Sequence, residues 1–167
     1  MQSSDRQSQD QLAQRAEAVL KILCNREIKL ATAESCSGGL LAALLTDIEG
    51  LSHAFERGFV TYTDLSKQEL LGIGHKVLRA FGAVSRPTAR AMAEGALARS
   101  GADIAVSTTG FAGPGAEGDE EGLVHFALAR RGYNTVHQVE SFGKLGRDLI
   151  REKCLATALS MLEETLN

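Results

Sequence analysis

Two buried-strand segments in this chain run directly into glycine-rich turns, and that pairing constrains the fold more than any other feature. Residues 28–33 (Ile-Lys-Leu-Ala-Thr-Ala) alternate loosely as a strand, break at 34–39 (Glu-Ser-Cys-Ser-Gly-Gly) and resume as a helix with Leu40, Leu41, Leu44 and Leu45. Residues 103–109 read as a second buried strand that opens into Gly110-Phe111-Ala112-Gly113-Pro114-Gly115. Helical periodicity marks Leu12, Ala16, Val19, Leu20 and Leu23, predicting a helix from Asp10 to about Arg26 behind a polar, frayed segment at 1–10. Further elements follow in alternation. A strand is expected at 59–62 and a short helix capped by Asp64. A helix opens at Ser85-Arg86-Pro87, and strands cover 123–129 and 135–139. A last helix from about Leu145 has Leu149, Leu155, Leu159, Leu162 and Leu166 inward. Strands alternating with helices over 167 residues, with neither repeat nor linker, predict one α/β domain at 11–167, a three-layer α/β/α sandwich.

Charge and cysteine usage exclude several function classes. Eighteen basic residues against twenty-one acidic ones give a net charge of −3, with 5% aromatics and no Trp, so a basic stripe with stacking rings for nucleic acid is missing. Cys24, Cys36 and Cys154 are odd in number and form no Cys-x-x-Cys pair, which argues against a disulfide framework or a thiolate zinc site and fits a reducing cytoplasm. The opening MQSSDRQSQDQLAQR lacks the apolar core of a signal peptide, and no segment reaches the length of a membrane span. His53, His75, His125 and His137 are scattered without metal-ligand spacing, so neither metal nor cofactor is expected.

The candidate chemistry concentrates in three segments. At 32–39 a strand-to-helix corner presents Ser35 and Cys36, either of which is a candidate nucleophile, with Ser37, Gly38 and Gly39 beside them. The first N–H groups of the following helix are expected to favour a phosphate or an oxyanion there. An ordinary capped turn, with Ser35 as N-cap, explains the same residues. Tyr62 and Lys67 are the candidate bases, on the expectation that turns after strands gather at one sheet edge. Lowering a lysine from about 10.4 to neutrality takes roughly 4.6 kcal/mol, which burial supplies and a solvated helix face does not. The loop with Thr109 and Gly110 is a candidate donor of backbone N–H groups, although no Gly-Lys-Ser/Thr closes it as a P-loop. Arg147 and Arg151, four apart on the last helix, form a candidate phosphate grip or a solvated face.

Taken together these segments resemble the C-terminal-domain family of the competence/damage-inducible protein CinA, whose stand-alone members include nicotinamide mononucleotide amidases. The family pattern T-A-E-S-C-T-G-G is similar to residues 32–39, R-G-x-V-x-Y-S-N-x-x-K to 57–67, G-A-V-S to 82–85 and T/S-G-I-A-G-P to 109–114. Order and spacing agree over nearly the whole chain. The resemblance implies a mixed sheet and hydrolysis of the carboxamide of nicotinamide mononucleotide, a small-molecule nucleotide substrate, to nicotinate mononucleotide and ammonia. It implies Ser35 as nucleophile, Tyr62 and Lys67 at proton-transfer positions, Thr109 and Gly110 in the reaction loop, Arg147 at the substrate phosphate, and a homo-oligomer. A non-catalytic or altered-specificity nucleotide-binding domain is the alternative. Three departures bear on that choice. Ser37 replaces a threonine, Asp64 stands where asparagine is usual, and Asp119-Glu120-Glu121 stands where the family carries K-P-V. Asp64 so close to Lys67 is expected to raise the pKa of its amine.

Overall fold

A computed structural model of the chain describes residues 2–167, with side chains from Arg6 onward. The elements in chain order are α1 (Gln2–Asn25), β1 (Leu30–Glu34), α2 (Leu40–Thr46), β2 (Phe55–Val60), α3 (Asp64–Leu71) and α4 (His75–Phe81). They continue as α5 (Arg86–Ala98), β3 (Ile104–Gly110), β4 (Leu123–Arg130), β5 (Val136–Ser141) and α6 (Arg147–Leu166). The five strands form one mixed sheet in the order β2-β1-β3-β4-β5. β2, β1 and β3 are parallel, whereas β4 and β5 are antiparallel additions.

Strand alternation splits the core in two. Leu30, Ile104, Val106, Val124, Phe126 and Leu128 point to one face, where α1, α2 and α6 cover them. Ala31, Ala33, Ala105, Ala127 and Ala129 point to the other, beneath α3, α4 and α5. Alanines on that face let α5 lie close against the sheet. Gly95 brings α5 equally close to α3, since a Cβ there would stand 2.2 Å from the Leu71 carbonyl oxygen. That contact fixes the height of the helix carrying Lys67.

Several boundaries differ from the sequence reading. Helix α1 starts at Gln2, ahead of the Asp10 start that the periodicity predicts; Met1 lies outside the described residues. Propagating an existing helix gains one hydrogen bond per residue, and α1 lies along α6, with Ser8 Oγ donating to Glu152 and Arg15 bound to Glu163 at 2.8 Å. The buried side of α6 is Ile150, Cys154, Leu155, Ala158, Leu159 and Leu162, a helical repeat that excludes Leu149, which is 48% exposed. β2 ends at Val60, earlier than expected, because the chain turns at Thr61 to start α3. Thr63, not Asp64, caps α3, in a reciprocal capping box with Ser66. Helix α4 escaped the sequence reading because only Leu78 of it is buried, leaving little periodic signal. Among the described residues no helix is long and apolar enough to cross a membrane.

Candidate active site

The parallel strands β1, β2 and β3 end at one edge of the sheet, the place where open α/β sheets form their ligand crevices. Ser35 follows β1 directly and is held from both sides. Its N–H donates to the Thr108 carbonyl of β3 at 3.0 Å, while the Glu34 carbonyl accepts from Thr61 N–H, beyond β2, at 2.8 Å. Lys67, in the first turn of α3, reaches back across this edge. Its side chain is fully buried, and Nζ lies 3.0 Å from Ser35 Oγ, 2.8 Å from the Thr61 carbonyl oxygen and 3.3 Å from that of Tyr62.

This geometry sets the amine within proton-transfer distance of the serine hydroxyl. Nζ also donates to the Thr61 and Tyr62 carbonyl oxygens. Burial lowers the Lys67 pKa below the ordinary lysine range, and it outweighs the opposing charges of Asp64 and Cys36. Asp64 thus acts in the direction expected from the sequence, but it is the weaker influence.

The corner itself is built by a residue the sequence reading passed over. The Glu34 carboxylate, fully buried, accepts from the N–H groups of Gly39, Leu41 and Ala42 at 2.8–3.1 Å and from Ser37 Oγ at 2.7 Å. It therefore occupies the N-terminus of α2, the anion position expected for a substrate. Gly38 N–H is spent on the Ser35 carbonyl, and the Ser37 hydroxyl also pairs with Thr108 Oγ1 at 2.8 Å. Ser37, Gly38 and Gly39 hence shape the turn and do not line the cavity. Gly39, not Ser35, is the N-cap residue, in a left-handed conformation at φ 94°. The signal was an acid ending a buried strand just ahead of a helix start.

A cavity of about 270 Å³ opens over Ser35, Cys36 and Lys67. Thr109, Gly110 and the loop to Gly115 form one wall, with Ala83, Val84, Tyr62, Asp119 and Arg147 around them. Thr109 Oγ1 donates to the Ala83 carbonyl at 2.8 Å, fixing β3 to the segment that precedes α5. Gly110 has no room for a side chain, because a Cβ would fall 2.6 Å from the Leu123 carbonyl oxygen. The Tyr62 ring lines the cavity but is 69% exposed, and the main-chain carbonyl of this residue is the part that meets Lys67.

The two arginines part company. Arg147 lines the cavity beside Gly113. Arg151 is directed at the back of the turn, donating to the Ser37 carbonyl through Nη2 at 2.8 Å, and it lies outside the cavity lining. They do not form a joint grip. Of the three acidic residues at 119–121 only Asp119 reaches the cavity, and its carboxylate accepts from Ala116 N–H at 2.8 Å. The histidines are less scattered than the sequence suggested. His125 Nδ1 and His137 Nε2 are 3.0 Å apart on β4 and β5, and neither lines this cavity. Among the described residues no group of three or more His, Cys, Asp or Glu is arranged to hold a metal ion.

Fold and site together define an α/β domain with a buried serine–lysine pair at the carboxyl edge of a mixed sheet. Comparison with known proteins makes the assignment more specific, since residues 12–166 match the CinA C-terminal domain, and the chain belongs to that family. It is 46% identical over 159 residues to a putative competence-damage inducible protein of Symbiobacterium thermophilum, covering 90% of this chain and 37% of that one. It is 52% identical over 120 residues to a CinA-like protein of Akkermansia muciniphila, covering 71% and 29%. The chain thus spans about a third of the length of these relatives. The crystal structure of the competence/damage inducible protein CihA from Agrobacterium tumefaciens superposes with a TM-score of 0.89 at 45% identity, covering 93% of this chain and 95% of that one. A CinA-superfamily structure from Escherichia coli gives 0.87 at 32% identity, covering 92% and 90%.

Proposed function

We propose that this domain is a metal-independent amidase that hydrolyses the carboxamide of a nicotinamide nucleotide, nicotinamide mononucleotide being the first substrate to test. The observation that carries the reading is the 3.0 Å approach of Lys67 Nζ to Ser35 Oγ inside a buried pocket. Lys67, kept neutral by burial, takes the Ser35 proton as Oγ attacks the carboxamide carbon. The resulting oxyanion needs fixed donors. The N–H groups of Ala112 and Gly113 suit this role, since they line the cavity and, among the described residues, bond to no backbone carbonyl. The Lys67 ammonium then gives its proton to the amide nitrogen, which leaves as ammonia, and water, deprotonated by the same amine, attacks the acyl carbon and releases the acid as the proton returns to Ser35 Oγ. Arg147 supplies the charge for the nucleotide phosphate.

The test is ammonia release from nicotinamide mononucleotide by the purified protein beside its Ser35→Ala variant. Release by the parent alone supports the reading, and equal release by both removes Ser35 from the mechanism. Cys36→Ala is expected to keep most of the activity. Its loss in a folded variant would move the nucleophile to Cys36. Tyr62→Phe separates the two candidate bases, because with Lys67 as base the acidic limb of the pH profile is unchanged. Binding of the nucleotide without any turnover is the outcome for a non-catalytic domain, the reading that Asp119 in the cavity wall favours.

A further inference from the structure

We infer, resting on the amidase reading and deepening it, that Asp119 recognises the positive ring of the ligand, so that the cavity selects a zwitterion: a phosphate at one end and a pyridinium cation beside the carboxamide. The hydrolysis scheme gives Asp119 no role. Arg147 and Asp119 both line the cavity, and among the described residues neither takes part in an ion pair, with each other or with a third residue. A cation and an anion that share a cavity of about 270 Å³ without pairing are both available to a ligand, and the ligand they complement carries one charge of each sign. Lys67 is the other basic residue of the lining, and burial disfavours its charged form. Arg147 is therefore left as the permanent cation.

The Asp119 carboxylate is held in place. Its Oδ2 accepts from Ala116 N–H at 2.8 Å, and its own N–H donates to the Ala116 carbonyl at 3.0 Å, which closes a turn over 116–119. The carboxylate packs on Gly115, where a Cβ would stand 2.4 Å from Oδ2. Arg147 lies against Gly113, two residues earlier, with Nη2 3.2 Å from the position a Cβ would take. One short loop thus seats both charges, and the absence of a side chain at Gly115 lets the acid come in. The neighbouring acids do not blur this pattern. Glu120 accepts from Ser141 Oγ on β5, and Glu121 is not among the lining residues. A carboxylate attracts a pyridinium and repels a phosphate, so the nucleotide is oriented with its ring toward Asp119 and its phosphate toward Arg147.

The experiment measures binding of two probes to the whole chain carrying Ser35→Ala, which removes the proposed nucleophile. One probe is nicotinamide mononucleotide, and the other is the same nucleotide with its ring reduced to the uncharged dihydropyridine. They share carboxamide, ribose and phosphate and differ in ring charge. The oxidised form is expected to bind about fivefold more tightly, the upper range for a solvent-exposed ion pair, and added salt is expected to shrink that ratio. Asp119→Asn, which keeps an oxygen for Ala116 N–H, is expected to bring the ratio near one, whereas Asp119→Glu retains a preference for the oxidised form. A ratio near one before Asp119 is altered overturns the inference without any Asp119 variant. So does a ratio that Asp119→Asn leaves unchanged, or an equal loss for both forms, which assigns Asp119 to the ribose hydroxyls. Failure of both probes to bind overturns it as well. Ammonia release by the parent is scored separately. An Asp119-dependent ring preference without ammonia release ends the amidase reading and leaves the charge assignment standing, and ammonia release without that preference does the reverse.

Discussion

Lys67 Nζ and Ser35 Oγ lie 3.0 Å apart in a buried corner, although 32 residues separate them in the chain. Three parallel strands bring them together. Ser35 is the first residue past β1, and Lys67 leaves α3 only a few residues past the end of β2, the strand beside it. Exchange of Lys67 for Met is expected to lower turnover roughly 10²- to 10⁴-fold, the usual weight of a positioned base.

The same substitution has a pH signature in stability. Lys67 has its pKa lowered in the folded protein from an ordinary value of 10.5, so between those two values the unfolded chain binds more protons. Parent stability relative to Lys67→Met is therefore expected to rise with pH through that window and to level off on either side. Denaturant titrations at a series of pH values check this, and a flat or falling difference contradicts burial of the amine.

Asp64→Asn removes a charge that pulls the Lys67 pKa upward. The acidic limb of kcat/KM against pH is expected to shift to lower pH in this variant. A limb that stays in place assigns the titration to another group.

Glu34→Gln replaces an acceptor of several N–H and O–H donors with an amide that turns one NH₂ toward them. A charged, buried hydrogen-bond acceptor contributes about 1.5–3 kcal/mol, so a loss of that size is expected in chemical denaturation. Unchanged stability would mean that the α2 N-terminus is not held by this carboxylate.

Arg147 and Arg151 should separate kinetically. Arg147→Ala is expected to raise KM for a phosphate-bearing substrate roughly 10- to 100-fold, the equivalent of one charged hydrogen bond, with kcat less affected. Arg151→Ala frees the Ser37 carbonyl behind the Ser35 turn and is expected to lower kcat and the melting temperature, leaving KM nearly constant. Steady-state kinetics with thermal melts distinguish the two.

The glycine turns, the alternation of strands and helices, and the candidate residues Ser35, Thr109 and Gly110 were readable locally, because each depends on backbone preference or on small-residue spacing within a few positions, whereas Lys67 was a candidate only through the expected gathering of turns at one sheet edge and the family resemblance. Sheet order was not local. Glycine spacing at 38–39 pointed to an anion at the α2 N-terminus but did not disclose that Glu34 of the same chain supplies it. Arg147 and Arg151 looked equivalent as an i, i+4 pair, yet packing of α6 against the turn turned one to the cavity and the other to a carbonyl. The lowered pKa of Lys67 follows from its complete burial, which comes from the closure of α3 over the ends of β1 and β2. Local chemistry thus set which groups were present, and the tertiary arrangement set which of them lost water and met, because solvation and distance belong to the assembled fold.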